Sequence, residues 1–433
     1  MNLSLKTIIT IKVSLIRVKG QTVIGRNPSD KSLNRYIQCL EVADAHAVKF
    51  YHYRENPIMG NIERHYDIDW LRVLAMLMIF LFHCARFFNY EDWHVKNNQL
   101  DFGMSVFVEI VSQWIMPLFF ILSAISVYYA LDYRNNRLFI NEKFKRLVIP
   151  LVFGIFVVVP PQVYIERVSH SQFAGSFFRF FPHYFDGLYG FGGNFAWMGL
   201  HLWYLEILFI FSLLTLPIFR YLRKETMQNL ISSMAISFKK PGIIFLLALP
   251  IFFMELFVNL QPDGIGIRDF GGWSPLTYLI FFSLGYLIAS DMQFRASIER
   301  HRKIALLLGV LTTISGFFFL EAGYSSRAYF FSFLRAFNSW FWLVAILGFG
   351  SKYLNFNNAL LKYSNEAVLP FYILHQTIIV VIGFYIASWD VGVIMKYLIL
   401  STASFALIIA LYDLVIKRVK VLRFLFGMKP RVL

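Results

Sequence analysis

Arg72 and His83 are the two residues of this chain best suited to chemistry inside a membrane. They stand eleven positions apart within an apolar run from Trp70 to Phe88. Eleven positions make about three turns of an α-helix, so both side chains lie on one helix face, roughly 16 Å apart along the axis. Ionisable side chains within a membrane helix are costly and usually mark functional sites. The alternative is structural, with Arg72 anchoring the helix end and His83 as a hydrogen-bonded core residue.

Composition places these residues in a polytopic membrane protein. The 433-residue chain is 58% hydrophobic and 18% aromatic but only 15% charged, which is too apolar for a soluble domain. Ten stretches are close to the ~20 residues that a ~30 Å hydrocarbon layer requires. They predict an all-α fold with ten transmembrane helices at about 68–88, 104–131, 147–165, 200–220, 242–260, 273–290, 304–320, 329–350, 367–387 and 393–415.

Basic residues indicate how the helices are oriented. Alternate connections carry 22 Lys and Arg residues on one side of the membrane and six on the other. By the positive-inside rule the richer side is cytoplasmic, so both termini are expected there. Topology therefore explains the net charge of +15, and no nucleic-acid partner is predicted. We expect a multi-pass protein of the cell (inner) membrane, with the lipid bilayer as its surroundings.

The first 65 residues predict little structure. They lack a clear apolar period and the small-residue cleavage site of a signal peptide. Met59 begins a segment that leads directly into the first span. We therefore interpret 1–65 as an N-terminal extension, which is either dispensable or the product of a wrongly assigned start before Met59. The membrane domain is expected over 66–420, and a cytoplasmic tail over 421–433.

Motifs along the spans resemble those of the acyltransferase 3 family of integral-membrane enzymes. The hallmark of that family is a basic residue, ten others and a histidine, which Arg72 and His83 match, and Asp69 also fits as a structural part of the motif. One departure is Ala124, where the family usually has glycine. Further matches follow in order along the ten spans: WIMPLFFILSA at 114–124, KFKRLVIP at 143–150, HLWYLEILF at 201–209 and FYILHQ at 371–376.

The resemblance implies an enzyme that moves an acyl group, succinyl or acetyl, to a hydroxyl group outside the cytoplasm. It implies acyl-coenzyme A as co-substrate, a glycan or other hydroxyl compound as acceptor, and no bound cofactor. Arg72 and Arg146 match the basic motifs of the family, and His375 matches its motif in the ninth span. The two cysteines, Cys39 and Cys84, have neither disulfide nor metal-ligand spacing, so no metal site is expected.

Helix rise converts the predicted topology into depths in the membrane. His83 would lie ~22 Å above the cytoplasmic face, in the outer third of a ~30 Å layer. The descending fourth and eighth helices would bring further polar side chains to the outer half, namely His201, Trp203, Glu206 and Arg335. We predict that His201, Trp203 and Arg335 line an outer, acceptor-binding pocket. Alternatively, the first two are interfacial belt residues, and Glu206 forms a structural ion pair with Arg335.

A second polar group is expected near the cytoplasmic face, where the phosphates of acyl-coenzyme A would meet positive charge. Positive-inside bias alone would also place basic residues here. His375 lies between the two groups by depth and is assigned to the donor as well, although a core histidine fits the same position. The other residues predicted to bind the donor are Arg72, Ser123, Lys143 and Arg146.

His83 is predicted to be the general base. Neutral imidazole is the side chain whose pKa lies nearest working pH, so it can take the proton of an acceptor hydroxyl as that oxygen attacks the thioester. Glu206 is predicted to be the second catalytic residue, orienting the other ring nitrogen of His83. Direct transfer and a covalent acyl-histidine intermediate both fit this arrangement.

A membrane transporter is the alternative function. Ten spans with buried ionisable groups would also suit the passage of a small organic anion or a glycan precursor. The two halves of the chain, however, show no evident internal repeat and no paired helices broken by Gly or Pro, which are the usual pointers to a transport site. The order and spacing of the motifs favour the enzyme.

Overall fold

The computed structural model describes three stretches of the chain, and within them the chain is helical: residues 65–268, 271–321 and 328–429. In those stretches only an isolated bridge between Leu188 and Phe195 has strand geometry. The all-α prediction is therefore confirmed. The predicted N-terminal extension lies outside the described residues up to position 64, as does Cys39.

The described helices are numbered here in chain order. Short 3₁₀ turns precede α8 and α11, at Leu200–Leu202 and Ile243–Leu247, and π-helical turns fall at Phe144–Val148, Gly154–Val158 and Tyr412–Ile416. The α-helices are α1 (Tyr66–Arg86), α2 (Phe102–Ser112), α3 (Ile115–Tyr133), α4 (Asn136–Lys143), α5 (Ile149–Phe153), α6 (Pro160–Ser169), α7 (Phe177–His183), α8 (Trp203–Leu214), α9 (Leu216–Leu222), α10 (Glu225–Ser237), α11 (Ala248–Val258), α12 (Pro275–Ser290), α13 (Met292–Glu321), α14 (Ala328–Tyr353), α15 (Ala359–Ile386), α16 (Val393–Leu411) and α17 (Lys420–Leu425).

Six described segments are long and apolar enough to cross a membrane: α1, the α2–α3 unit, α13, α14, α15 and α16 with its π-turn. Two bent pairs would raise the number to eight, with bends of 41° before α6 and 49° between α8 and α9. Two shorter apolar helices, α11 with its 3₁₀ turn and α12, complete the set. Each of the ten predicted spans overlaps one of these segments. The count of ten crossings and the cytoplasmic termini remain predictions.

Proline explains both bends. Pro160 and Pro161 open α6, and Pro217 is the second residue of α9. A proline lacks a backbone N–H and its ring displaces the carbonyl four residues earlier, so the helix kinks before it. Gln162 and Glu166 follow the first bend on α6, and both are buried.

The helix α1 lies at the centre of the bundle and contacts α2, α3, α14, α15 and α16. Its interior-facing residues include Met76, Phe80 and Cys84, none of which is more than 3% exposed. Because five helices surround α1, the two ionisable residues on it, Arg72 and His83, are held within the bundle rather than in lipid.

Candidate active site

A cavity of about 370 Å³ lies between α1, α3, α8 and α15, towards the end of the bundle at which α1 begins. That end is the one predicted to be cytoplasmic. Four of the five residues predicted to bind the donor line this cavity, namely Arg72, Ser123, Lys143 and Arg146. We call it the donor cavity.

The wall of the donor cavity is positively charged. Five cationic side chains line it against two carboxylates, which leaves a formal excess of positive charge. Positive side chains at such a wall can form charge-assisted hydrogen bonds to phosphate groups. The cations are Arg72, Arg134, Lys143, Arg146 and Lys429, and the carboxylates are Asp69 and Glu142.

The guanidinium of Arg72 is held in place by two neighbours. Its Nη1 donates to Asp69 Oδ1 at 3.0 Å, one turn earlier on α1, and its Nη2 donates to Ser126 Oγ on α3 at 2.8 Å. The side chain remains 28% exposed. The structure therefore gives Asp69 a contact that fits its predicted structural role, because it orients Arg72 along the cavity wall.

The far end of the donor cavity is lined by tyrosines and apolar side chains. The hydroxyl of Tyr204 shares a hydrogen bond of 2.6 Å with Ser123 Oγ, and Tyr372 donates its hydroxyl hydrogen to the backbone carbonyl of His201. Ile79, one turn before His83, lines the same end. The cavity thus ends against residues that contact a cluster of histidines.

Three histidines from three elements form this cluster: His83 on α1, His375 on α15, and His201 in the 3₁₀ turn before α8. The ring centroids of His83 and His375 are 4.9 Å apart, and those of His201 and His375 are 5.1 Å apart. His375 and His201 are buried, at 0% and 6% exposure, whereas His83 is partly exposed. His83 is therefore the most exposed member of the cluster.

Hydrogen bonds determine which ring nitrogens carry hydrogen. Nδ1 of His375 lies 2.6 Å from the Tyr372 carbonyl, and Nδ1 of His83 lies 2.8 Å from the Ile79 carbonyl. Carbonyl oxygens only accept, so both Nδ1 atoms are donors, and the tautomers are assigned from these partners. Nε2 of His375 then accepts from the same Nδ1–H of His83, at 3.2 Å. In neutral His83 this leaves Nε2 with a free lone pair, as a general base requires.

His375 lies further from the predicted cytoplasmic face than its sequence position suggested. The predicted ninth span begins at residue 367, but α15 begins at Ala359 because the polar run KYSNE at 362–366 is helical too. His375 is therefore sixteen residues, or ~24 Å, from the start of α15, and His83 is seventeen residues, or ~26 Å, from the start of α1. It contacts His83 and is not part of the lining of the donor cavity.

His201 and Trp203 are packed inside the bundle. His201 donates from Nε2 to the carbonyl of Ile373 at 3.0 Å, and its Nδ1 is buried with no hydrogen-bond partner among the described residues. The ring of Trp203 stacks on that of Tyr278, with centroids 5.7 Å apart. The burial of His201 does not fit an interfacial belt residue, because its ring belongs to the histidine cluster.

Glu206 does not orient His83 in this structure. Its Oε2 atom is buried without a hydrogen-bond partner, and no described hydrogen bond joins it to the imidazole. The ring nitrogen that Glu206 was expected to hold is bonded to the Ile79 carbonyl and to His375 instead. The carbonyl of Ile79 on α1 and the ring of His375 on α15 thus take the role that depth alone had suggested for Glu206.

Arg335 belongs to an ionic cluster that is separate from the histidine cluster. Its Nε lies 3.8 Å from a carboxylate oxygen of Glu255, and its guanidinium lies over the ring of Trp273, 4.1 Å from the centroid. Its Nη2 donates to the carbonyl of Gly272. The ion pair considered for Arg335 and Glu206 is therefore made with Glu255.

A network that the sequence had not suggested lies beside the histidine cluster. His94 donates from Nδ1 to the carboxylate of Glu166, and the amide groups of Gln162 and Gln376 lie 2.9 and 3.0 Å from its Nε2 and share the single lone pair of that nitrogen. Gln376 directly follows His375, within the motif FYILHQ, which was the available signal. The network therefore connects the loop after α1 to α6 and α15.

Tyr189 and Trp93 extend this network. Burial and the nearby Glu166 carboxylate raise the pKa of Tyr189, so the phenol stays protonated and donates to both Glu166 oxygens, at 3.0 and 2.9 Å. The ring of Trp93 lies between the rings of His83 and His94, at centroid distances of 6.3 and 5.5 Å. His83 is therefore adjacent to a second, well-satisfied polar layer.

Comparison with known proteins agrees with the resemblance seen in the motifs. The family model described as an acyltransferase domain matches residues 65–413. Relatives named glucans biosynthesis protein C, from Escherichia coli strains SMS-3-5 and K12 and from Shigella dysenteriae serotype 1, are each 24% identical to this chain. The alignments cover 87% of this chain and 97% of each relative. No solved structure matches.

Proposed function

The chain belongs to the acyltransferase 3 family and is a multi-pass membrane acyltransferase, and from that premise we propose that it moves an acyl group from cytoplasmic acyl-coenzyme A to a hydroxyl group of an extracytoplasmic glycan. The acyl group is proposed to be succinyl or acetyl, and the membrane the cell (inner) membrane. One observation supports this most: a single cavity runs from a cationic wall to Ile79, whose backbone carbonyl accepts from Nδ1 of His83 one turn further along α1.

The donor cavity suits the shape and charge of acyl-coenzyme A. The phosphates would contact Arg72, Lys143 and Arg146, while the thin pantetheine arm would extend between α1, α3, α8 and α15. Tyr204 and Tyr372 at the far end would then surround the thioester. In this arrangement binding of the phosphates places the reacting carbonyl near the histidine cluster.

His83 would act through the lone pair on Nε2. The acceptor O–H gives its proton to Nε2 as the oxygen attacks the thioester carbon, the carbon–sulfur bond breaks, and the departing thiolate takes the proton back. Products are the acyl ester and free coenzyme A, so no other reactant is needed. A covalent acyl-His83 intermediate would use the same lone pair, and rapid-quench mass spectrometry of the intact protein distinguishes the two routes.

His375 would be a positioning residue for that step. Its Nε2 accepts from the Nδ1–H of His83, and this contact strengthens when His83 becomes an imidazolium cation. The pair resembles the base-and-orienter arrangement of other acyl-transfer enzymes, with a neutral histidine in the orienting position.

The glycan acceptor is proposed from the relatives. They are named glucans biosynthesis protein C, and their alignment spans nearly the whole of their length. A glucan chain carries many hydroxyl groups, which are the nucleophiles that the mechanism requires. We therefore propose a glucan as the acceptor class.

Transfer by the purified protein tests this function. Acyl-coenzyme A labelled in its acyl group is incubated with a glucan oligosaccharide and the full-length protein in detergent, and label is expected in the glycan. His83→Gln should reduce transfer roughly 10²–10⁴-fold, and His301→Gln is the control, because His301 is buried and, like His83, donates from Nδ1 to a carbonyl four residues earlier. A transporter would show no turnover, because detergent removes any gradient.

Mass spectrometry of extracytoplasmic glycans identifies the acyl group. Cells with and without the gene are compared, and the mass difference names the group transferred. Glycans of unchanged mass, together with an inactive purified protein, would contradict the proposed function.

A further inference from the structure

A second cavity, of about 270 Å³, lies between α2, α13 and α14, and the donor site does not account for it. Its volume falls just below the ~300–1,000 Å³ of clefts that hold drug-sized ligands. Arg335, predicted to belong to an outer pocket, lines it. We call it the outer cavity, and its polar lining comprises Glu109, Gln113, Thr312, Thr313, Arg335 and Asn338.

Hydrogen bonds within the wall of the outer cavity leave a specific set of atoms free. The hydroxyls of Thr312 and Thr313 lie 2.9 and 3.0 Å from one end of the Asn338 amide group, but each hydroxyl hydrogen is used by a nearer helix carbonyl, that of Leu308 at 2.7 Å and that of Gly309 at 2.8 Å. The Asn338 amide therefore turns its N–H groups to these hydroxyls, which leaves its oxygen without a described partner. Gln113 Nε2 donates to Glu109 Oε1 at 2.6 Å. Glu109 Oε2 and Gln113 Oε1 are left as acceptors in the described part of the chain.

Arg335 adds a donor. Its Nη2 is used by the Gly272 carbonyl, and its Nη1 has no hydrogen-bond partner among the described residues. None of these four atoms is among the fully buried, unpaired side-chain atoms of the described residues. The cavity therefore offers three acceptors, on Glu109, Gln113 and Asn338, and one donor, on Arg335.

This balance selects the chemistry of the ligand. An anion offers only acceptors and would face the carboxylate of Glu109, while a cation offers only donors and would face Arg335. A hydroxyl group both donates and accepts, so a polyhydroxyl ring satisfies all four atoms together. Phe317 and Phe331 supply apolar wall for the faces of such a ring.

The outer cavity lies near the depth of His83. The N–H of Asp101, which caps α2, donates to the carbonyl of Phe88 at 2.8 Å, so the start of α2 is level with that residue. Counting back from this level, Glu109 lies ~12 Å along α2 and His83 ~8 Å along α1. The two side chains therefore differ by only ~4 Å in depth on neighbouring helices.

A loop of two glycines stands between the two cavities. A Cβ atom on Gly271 would lie 3.1 Å from Cγ of Met116, which lines the donor cavity, and the carbonyl of Gly272 binds Arg335 of the outer cavity. Both glycines have left-handed φ values, +67° and +87°, which favour glycine at these positions. The loop of Gly271 and Gly272 therefore lies next to a lining residue of each cavity.

We propose that the outer cavity binds one sugar ring of the acceptor and holds it beside the acyl-transfer site. This inference rests on the proposed function for its biological meaning, but its binding chemistry can be tested separately. The same polyhydroxyl ring could belong to a soluble glycan or to the head of a lipid-linked sugar.

Binding to a transfer-inactive protein is the first test. Full-length His83→Gln protein in a zwitterionic detergent without a sugar headgroup is titrated with a linear glucose tetrasaccharide and, separately, with octyl glucoside. Added to that protein, Glu109→Gln and Asn338→Leu should each weaken binding roughly 10-fold, because each removes a hydrogen-bonding group from the cavity. Ser339→Ala is the control, since Ser339 is buried beside Asn338 with no described hydrogen bond from its hydroxyl.

The two probes distinguish the sources of the sugar. Binding of the tetrasaccharide alone supports a soluble glycan, and binding of octyl glucoside at comparable or higher affinity supports a lipid-linked sugar. Binding of neither probe, or binding that both cavity variants leave unchanged in well-folded protein, overturns the proposal. The variants lie on α2 and α14, so misfolding of one leaves the other as the test.

Transfer kinetics separate this proposal from the proposed function. In an otherwise wild-type protein, Glu109→Gln and Asn338→Leu should raise KM for the glycan about 10-fold while KM for acyl-coenzyme A stays constant. A wild-type protein that binds sugar through these residues but transfers no acyl group would refute the function and support the site. Normal transfer with unchanged glycan KM in both variants would support the proposed function and refute the outer cavity as the sugar site.

Discussion

Replacing His375 tests whether it acts through His83. His375→Leu removes the Nε2 acceptor 3.2 Å from Nδ1 of His83 and leaves that N–H with the Ile79 carbonyl alone. A hydrogen bond to a charged group contributes about 1.5–3 kcal/mol. The neutral bond already present before reaction contributes about 0.5–1.5 kcal/mol, so only the difference of about 1–1.5 kcal/mol that develops when His83 becomes charged should appear in kcat, as a reduction of roughly 5- to 13-fold. His375→Gln, which keeps an acceptor oxygen, should recover part of the rate.

The same substitution in a His83→Gln background gives a sharper result. His83→Gln alone should cost about 10²–10⁴-fold in transfer rate, the usual range for loss of a general base. If His375 works only through His83, His375→Leu should then cost nothing further, so the interaction energy of the double-mutant cycle equals the loss in the single variant.

Steady-state transfer with labelled acyl-coenzyme A provides the assay. The pH profile of kcat should change in His375→Leu, while His301→Leu, a buried histidine outside the cluster, should leave both kcat and the profile unchanged. Equal losses from His375→Leu in both backgrounds would refute the positioning role. A higher KM for acyl-coenzyme A at constant kcat would instead support the donor-binding role expected from depth.

Four further predictions concern the wall of the donor cavity, the loop between α1 and α2, the N-terminal extension and the topology. Arg72→Ala or Arg146→Ala should raise KM for acyl-coenzyme A roughly 10- to 100-fold with little change in glycan KM, and unchanged donor binding with impaired folding would make both residues structural. Burial and the nearby charge of Arg86 lower the pKa of Lys96 from 10.5 to about 8 in the folded protein. Between pH 8 and 10.5 Lys96 therefore carries its proton in the unfolded chain but not in the folded protein. The free energy of unfolding should therefore rise with pH from 8 to 10.5, and thermal unfolding of Lys96→Met should lack that rise. A chain starting at Met59 should insert and transfer normally, and failure to insert would show that the extension is needed. A reporter fused after Leu433 should read as cytoplasmic, and an extracytoplasmic signal would reject the predicted orientation.

The sequence by itself determined the class of the protein and the approximate course of its helices. Apolar length is a local property, because each span must satisfy its own backbone hydrogen bonds in lipid. Helix periodicity is local too, so the spacing of Arg72 and His83 identified one helix face without any knowledge of the neighbouring helices. Helix ends were less accessible, since the polar run at 362–366 extends α15 beyond its apolar part.

The partners of His83 were decided by tertiary structure. His375 stands 292 positions further along the chain, and the registers of α1 and α15 alone bring their rings together. The same holds for His94 and Glu166, which meet because proline bends α6 inward after a π-helical turn. Glu206 had suitable chemistry and depth, but depth leaves the rotation of each helix open.

Rotation and side-chain direction depend on packing between helices, which no span encodes alone. A residue can lie at the correct depth and face lipid, a neighbouring ring or a cavity, and these outcomes differ by the ~100° between successive helix positions. Composition and spacing thus determined that ionisable groups lie inside a membrane bundle. Only the packing of α1 against α15, and the positions of α2 and α14 around the outer cavity, decided which of those groups meet and which atoms they leave free.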